Sequence, residues 1–165
     1  MTQMNWLVIA AVVASATACG SSPSAPTTPA NIAGSYTASI TASSTCSANM
    51  PTTTRVLNAA AEVSQTGAAA QLQFNIHGGS PVTVTGTVSG QKINLPSLSF
   101  NGTAAGNTVS VVAAASTANV AANGEIAAPL NGTYQASGTS CNAADHQLQM
   151  RKCVVTCSGN TCTCA

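Results

Sequence analysis

Charge is nearly absent from this chain: 4% of its 165 residues are Asp, Glu, Lys or Arg, and the formal net charge is +1. Four cations cannot line a face that neutralises a run of phosphates, which argues against nucleic acid as a partner. Aromatic residues are equally scarce at 3%, and the single tryptophan, Trp6, lies in a segment read below as a removable leader. Two Tyr and two Phe are poor material for a sugar-stacking platform or a quaternary-ammonium cage. After the first twenty or so residues no run is long and apolar enough to span a bilayer as a helix.

Acid–base chemistry has little to draw on. Glu62, Glu125 and Asp145 are the only acids, and His77 and His146 the only histidines. His77-Gly78-Gly79 follows a strand-like segment, but no Gly-x-Ser-x-Gly elbow accompanies it, so a hydrolase oxyanion motif is rejected. Asp145-His146 lies close after Ser140 and Cys141, yet adjacent residues on a strand point to opposite faces, and a turn-capping Asp beside a surface His accounts for the pair. Glu62 alternates with Ala61 and Val63 and belongs on a solvated face. No glycine-rich phosphate loop precedes a helix, and no catalytic metal spacing occurs outside the tail. The expectation is a non-enzymatic protein with no cofactor.

What is present begins with an apolar run, Trp6 to Ala18, of signal-peptide length and ending in small residues before Cys19. Ala16-Thr17-Ala18-Cys19 resembles the lipobox of bacterial lipoproteins, with Ala16 where that family usually has Leu and no Lys or Arg in the leading MTQMN. The resemblance implies diacylation of the Cys19 sulfur and cleavage after Ala18, hence an exported, lipid-anchored product. Gly20 rather than Asp after the cysteine implies outer-membrane sorting if the source is Gram-negative. Residues 19–30 then form a Ser/Thr/Pro tether, GSSPSAPTTPA after the cysteine, with no apolar periodicity. Acyl chains would supply the membrane affinity, at about 0.8 kcal/mol per buried CH₂.

From Asn31 to about Lys152 the hydrophobic period is two, which predicts an all-β domain. Leu72, Phe74 and Ile76 alternate with Gln71, Gln73 and Asn75, giving a strand with one wet face. Leu57 to Val63 alternates likewise, and Ser64-Gln65-Thr66-Gly67 offers the turn of a hairpin. Further strands are expected over 82–88, 93–100, 108–114, 124–130, 132–138 and 146–153, with Pro96 marking an edge or bulge and Asn101-Gly102 a turn. The Ala/Asn-rich stretch 118–122 leaves a short helix open. Eight or nine sequential antiparallel strands without helical crossovers predict a small up-and-down barrel, with a β-sandwich as the alternative.

Gly34-Ser35-Tyr36 on the first strand and Arg151 on the last resemble the lipocalin and calycin arrangement, in which a Gly-x-Trp packs beneath an arginine of the final strand. The resemblance implies that Gly34, Tyr36 and Arg151 close the barrel, with Tyr in place of Trp. The segments 34–39 and 132–137 also resemble one another.

Seven cysteines less the lipidated Cys19 leave six. Cys46 lies just after the first strand and Cys141 just before the last, positions that adjoin in a closed antiparallel barrel, so a Cys46–Cys141 bridge is predicted. It would close a loop of nearly a hundred residues, worth up to about 4.7 kcal/mol in the chain-entropy model. The tail, residues 153–165, crowds Cys153, Cys157, Cys162 and Cys164 around Ser158-Gly159-Asn160 and reads as a stapled hairpin in an oxidising compartment. Cys157 with Cys162 and Cys153 with Cys164 is the preferred pairing, while a thiolate site for zinc or copper(I) is the alternative. Three functions stay open: a carrier with a small apolar ligand inside the barrel, an envelope structural or adhesion module whose Ser/Thr/Asn surface touches partner proteins, and metal binding through the tail.

Overall fold

The computed structural model describes residues 27–153 and the backbone of 155–158 and 161–164. The leader 1–18, Cys19, most of the tether and the side chains of Cys157, Cys162 and Cys164 lie outside the described residues. Ten strands build one antiparallel sheet: β1 (Gly34–Thr41), β2 (Val56–Thr66), β3 (Ala69–Ile76), β4 (Val82–Ser89), β5 (Lys92–Leu95), β6 (Leu98–Ala104), β7 (Asn107–Ala113), β8 (Ser116–Val120), β9 (Ile126–Ala136) and β10 (Thr139–Lys152). In the tail, β11 (Val155–Ser158) pairs with β12 (Thr161–Cys164), and Cys157 faces Cys162 in the register.

The alternation seen in the sequence fixes which face is wet. Along β3 the residues are exposed and buried in strict turn, with Ala70, Leu72, Phe74 and Ile76 inward. A one-residue slip would turn that whole set out to water, so the register is strongly specified. Strands β1–β5, β8, β9 and β10 follow one another around a ring, and β10 pairs with both β9 and β1. That second pairing closes an eight-stranded up-and-down barrel and excludes the sandwich.

The remaining hairpin, β6–β7, is inserted between β5 and β8. Its β7 pairs with the far half of β9, from Val109↔Ala136 to Ala113↔Gly132, and the same half of β9 pairs with Thr139–Ala143 of β10. These four segments form a flap that continues past the rim and folds over one mouth of the barrel. A shift of register between Ala143 and His146 bends β10 from flap into wall, the usual work of a bulge. Phe100 of β6 meets Phe74 of the wall edge-on, with ring centroids 5.2 Å apart, and the Thr103 N–H donates to the His77 carbonyl at 2.8 Å.

The other mouth is closed by the chain's approach to β1. Ile32 is fully buried there. The Gln65 side chain clamps this strap by accepting from the Ile32 N–H and donating to the Ala30 carbonyl, at 2.8 and 2.9 Å. The Tyr36 hydroxyl also donates to the Ile32 carbonyl at 2.8 Å.

Several sequence expectations are corrected. Asn101-Gly102 is not a turn but lies inside β6, where a Cβ on Gly102 would come within 3.0 Å of Ile76, the His77 carbonyl and Leu57. The glycine serves close approach to the barrel rim. Pro96 separates two strands with different neighbours, since β5 pairs with β8 and β6 with β7. Residues 124–138 hold one strand rather than two, with Gly132 set against the Val112 carbonyl. The stretch at Ala118 is β8, paired with β5 and β9, not a helix.

Candidate functional site

The barrel interior is the first place to look for a ligand, and side chains occupy it. Tyr36, Phe74, Phe100, Leu57, Leu72 and Leu130 are each buried to within 1% of complete, and burial of each large apolar side chain stabilises by about 1.5–3 kcal/mol. Eight strands give an interior that side chains can fill, and here the flap adds Phe100 from above and the strap adds Ile32 from below.

The expected Cys46–Cys141 disulfide is present, across a sequence separation of 95. Cys46 sits in a 3₁₀ turn, Ser44–Ala48, just after β1, and Cys141 on the flap portion of β10. The bond therefore ties the loop after β1 to the base of the flap. Cys153 is also disulfide-bonded, with its partner outside the described side chains, and its N–H donates to the Ser35 carbonyl at 2.8 Å.

His146, expected at the surface, is fully buried at the bend of β10. Its Nδ1 accepts from the Ser43 N–H at 2.9 Å, which places the proton of the neutral ring on Nε2, 3.1 Å from the Gly132 carbonyl that receives it. Both nitrogens are used in positioning the flap, and Asp145 beside it is exposed. The burial was legible in parity: His146, Leu148 and Met150 share one face of β10.

Gly34, Tyr36 and Arg151 do not come together as the lipocalin resemblance implies. Tyr36 points inward, whereas Arg151 is paired in register with outward Thr37 and reaches Glu125 at 3.6 Å, with its side chain 74% exposed. The next residue, Lys152, is opposite Tyr36, and its side chain passes Gly34, where a Cβ would lie 3.1 Å from Cε. A shift of one residue along a strand exchanges faces, so the cation that lies over the start of β1 is Lys152.

The two tyrosines of the chain are both buried, Tyr134 donating to the Thr54 carbonyl at 3.0 Å. Burial raises both hydroxyls above the ordinary tyrosine value of 10.0. Above pH 10 the unfolded chain loses phenolic protons that the folded chain keeps, so stability falls with rising pH, by at most about 1.4 kcal/mol per pH unit for each tyrosine. Below pH 10 neither residue contributes a slope. In an alkaline titration, tyrosinate absorbance is expected to appear only as the native circular dichroism is lost. A gradual rise centred near pH 10 with the fold intact would contradict this burial.

On the outside of β10, β1, β2 and β3 the barrel wall carries two adjoining hollows of about 580 and 350 Å³. They share Thr37, Ala38 and Asn58. Ala59 and Ala60, small residues in the middle of β2, keep the floor low. Asn58, Asn75 and Gln149 around it were not singled out by the sequence, because single polar residues on wet strand faces carry no signal until register aligns them. The chain matches no protein-family model, no curated protein and no solved structure with which it was compared.

Proposed function

We propose that the protein is an exported, lipid-anchored, non-enzymatic module that works through the outer surface of its barrel at a bacterial cell envelope. The observation that carries this reading is the occupied interior: with Phe100 seated on Phe74 at one mouth and Ile32 at the other, recognition falls to the outside. A closed barrel is also the form of a ligand carrier, but a small apolar ligand would have to displace that packing. The Cys46–Cys141 bond supports an oxidising compartment. The strap that enters at Ile32 continues from the tether, which supports an anchor at that end of the barrel.

Expression with the native leader in a bacterial host, with palmitate labelling and intact mass before and after reduction, tests this reading. Expected are a mature chain beginning at a diacylated Cys19, loss of label in Cys19→Ala, and a mass gain on reduction matching the opened disulfides. An unlabelled chain cleaved elsewhere would overturn the anchor.

A further inference from the structure

We infer that Asn123 is a site of spontaneous covalent modification, at which the folded protein converts an asparagine to aspartate and isoaspartate. The chemistry is general to Asn-Gly: the glycine nitrogen attacks the asparagine Cγ, an N–Cγ bond forms, and Nδ2 leaves as ammonia. Water then opens the succinimide ring, at one carbonyl to give aspartate and at the other to give isoaspartate. Glycine in second place favours the attack because no Cβ hinders the approach. Three such dipeptides occur in the chain, Asn101-Gly102, Asn123-Gly124 and Asn131-Gly132. Their settings in the fold differ.

Two are locked in strands. Asn101 and Gly102 pair with Ser110 and Val109, and Gly102 is pressed against Ile76 and the His77 carbonyl. Gly132 lies between two strands, opposite Ala113 and Ala143 and against the Val112 carbonyl, while the Asn131 carbonyl accepts from the Ala114 N–H. An extended backbone holds each asparagine side chain out to one face of the sheet, away from the next peptide nitrogen. Neither segment can bend into the ring without leaving its ladder.

Asn123-Gly124 is in the loop 121–125 that joins β8 to β9, and Asn123 is exposed. The backbone turns back on itself there. Gly124 has a φ of +82°, its N–H donates to the Ala121 carbonyl at 2.9 Å, and the Ala121 N–H donates to the Glu125 carbonyl at 2.8 Å. The Glu125 N–H donates to Asn123 Oδ1 at 3.1 Å. That bond folds the carboxamide back over the intervening peptide, toward the Gly124 nitrogen. It also sets a donor on the oxygen where negative charge develops as the nitrogen adds, which is how a tetrahedral intermediate of acyl transfer is stabilised. One contact opposes the reaction: the Gly124 N–H must leave the Ala121 carbonyl before it gives up its proton. That is a single hydrogen bond of an exposed turn, against the several ladder bonds that guard Gly102 and Gly132.

The product has a partner waiting. The Lys152 stem passes Gly124, where a Cβ would lie 3.4 Å from Cδ, and Lys152 pairs with no carboxylate among the described residues. Conversion sets a carboxylate beside it and adds one negative charge to a chain whose formal net charge is +1. Isoaspartate also lengthens the backbone by one methylene and misaligns the two bonds that close the loop.

The test is timed incubation of the mature chain in mildly alkaline buffer, with tandem mass spectrometry of its peptides and enzymatic methylation of isoaspartate. Expected is a mass gain of about one dalton that accumulates at Asn123 about 100-fold faster than at Asn101 or Asn131, equal to about 2.8 kcal/mol of extra opening for the strands. In the reduced, denatured chain all three should convert at similar rates. Asn123→Gln should remove the methylation signal of the folded chain with the circular dichroism unchanged. Equal rates at the three dipeptides in the folded chain, faster conversion of Asn101 or Asn131, or an Asn123 that stays intact while the denatured chain converts overturns the inference. None of these readouts depends on acylation of Cys19.

Discussion

Replacing Cys46 and Cys141 together by alanine is expected to lower the thermal unfolding midpoint by about 10–20 °C. The bond spans a sequence separation of 95, and the chain-entropy model assigns about 4.7 kcal/mol to a loop of that order, with 2–4 kcal/mol typical of measured cases. In a domain of this size each kcal/mol moves the midpoint by about 3–5 °C. Alanine is preferred to serine because Cys46 is fully buried and a hydroxyl there would need a partner. The damage should be uneven. Thr139–Ala143 and the 3₁₀ turn at Ser44–Ala48 lose a covalent tie, while the ladder between β2 and β3 keeps all its partners. Thermal melts and amide exchange of the oxidised wild type and the double variant measure both effects. A midpoint change of under about 3 °C would mean that the unfolded chain already holds these segments close, so that the crosslink removes little freedom.

Phe100→Ala is expected to cost about 3–5 kcal/mol, the usual loss for a buried phenylalanine, through lost transfer energy and the cavity left behind. Phe100 is fully buried, with its ring inclined at 74° to that of Phe74. Of the total, about 0.5–1.5 kcal/mol belongs to the ring pair itself, and a double-mutant cycle with Phe74→Ala isolates that part. The vacated space is lined by apolar groups and should stay dry, so benzene is expected to bind the variant and not the wild type. Binding to the folded state alone would then recover part of the lost stability in denaturant titrations. A loss under about 1 kcal/mol would show that the flap rests on the mouth without packing into it. It would also return the interior to consideration as a carrier site.

How much of this was legible in the sequence differs from strand to strand. Where one face is buried and the other wet, as in β2 and β3, the alternation of Leu72, Phe74 and Ile76 with Gln71, Gln73 and Asn75 gave both the strand and its orientation. The disulfide was legible because a closed antiparallel ring brings the end of its first strand beside its last. What misled were glycines. At Gly102 and Gly132 the missing Cβ admits another chain segment within van der Waals distance, a tertiary demand that no local dipeptide reveals. Pro96 and Ala118 misled for a related reason: β5 and β8 are only four and five residues long, and each is a strand because the other lies beside it. Arg151 shows the cost of assigning a role by family position without counting parity, since Met150 is inward and its neighbour must face out. The outer hollow was invisible for want of register. Asn58 and Asn75 are seventeen residues apart in the sequence numbering and come to one surface only through the pairing of β2 with β3.

The pairing of β5 with β8 has a consequence for how this chain tolerates change in length. Leu95 and Ser116 face each other in register, at the point where the β6–β7 hairpin leaves the ring and rejoins it. A tight turn could join those two residues directly and leave every pairing among the eight barrel strands in place. The intervening twenty residues are therefore a cassette in an otherwise sequential meander. Their length can change without asking the barrel ladder to re-register, but Phe100, the close approach at Gly102 and the pairing of β7 with β9 must be kept for this mouth, on the far side of the barrel from the strap, to stay capped.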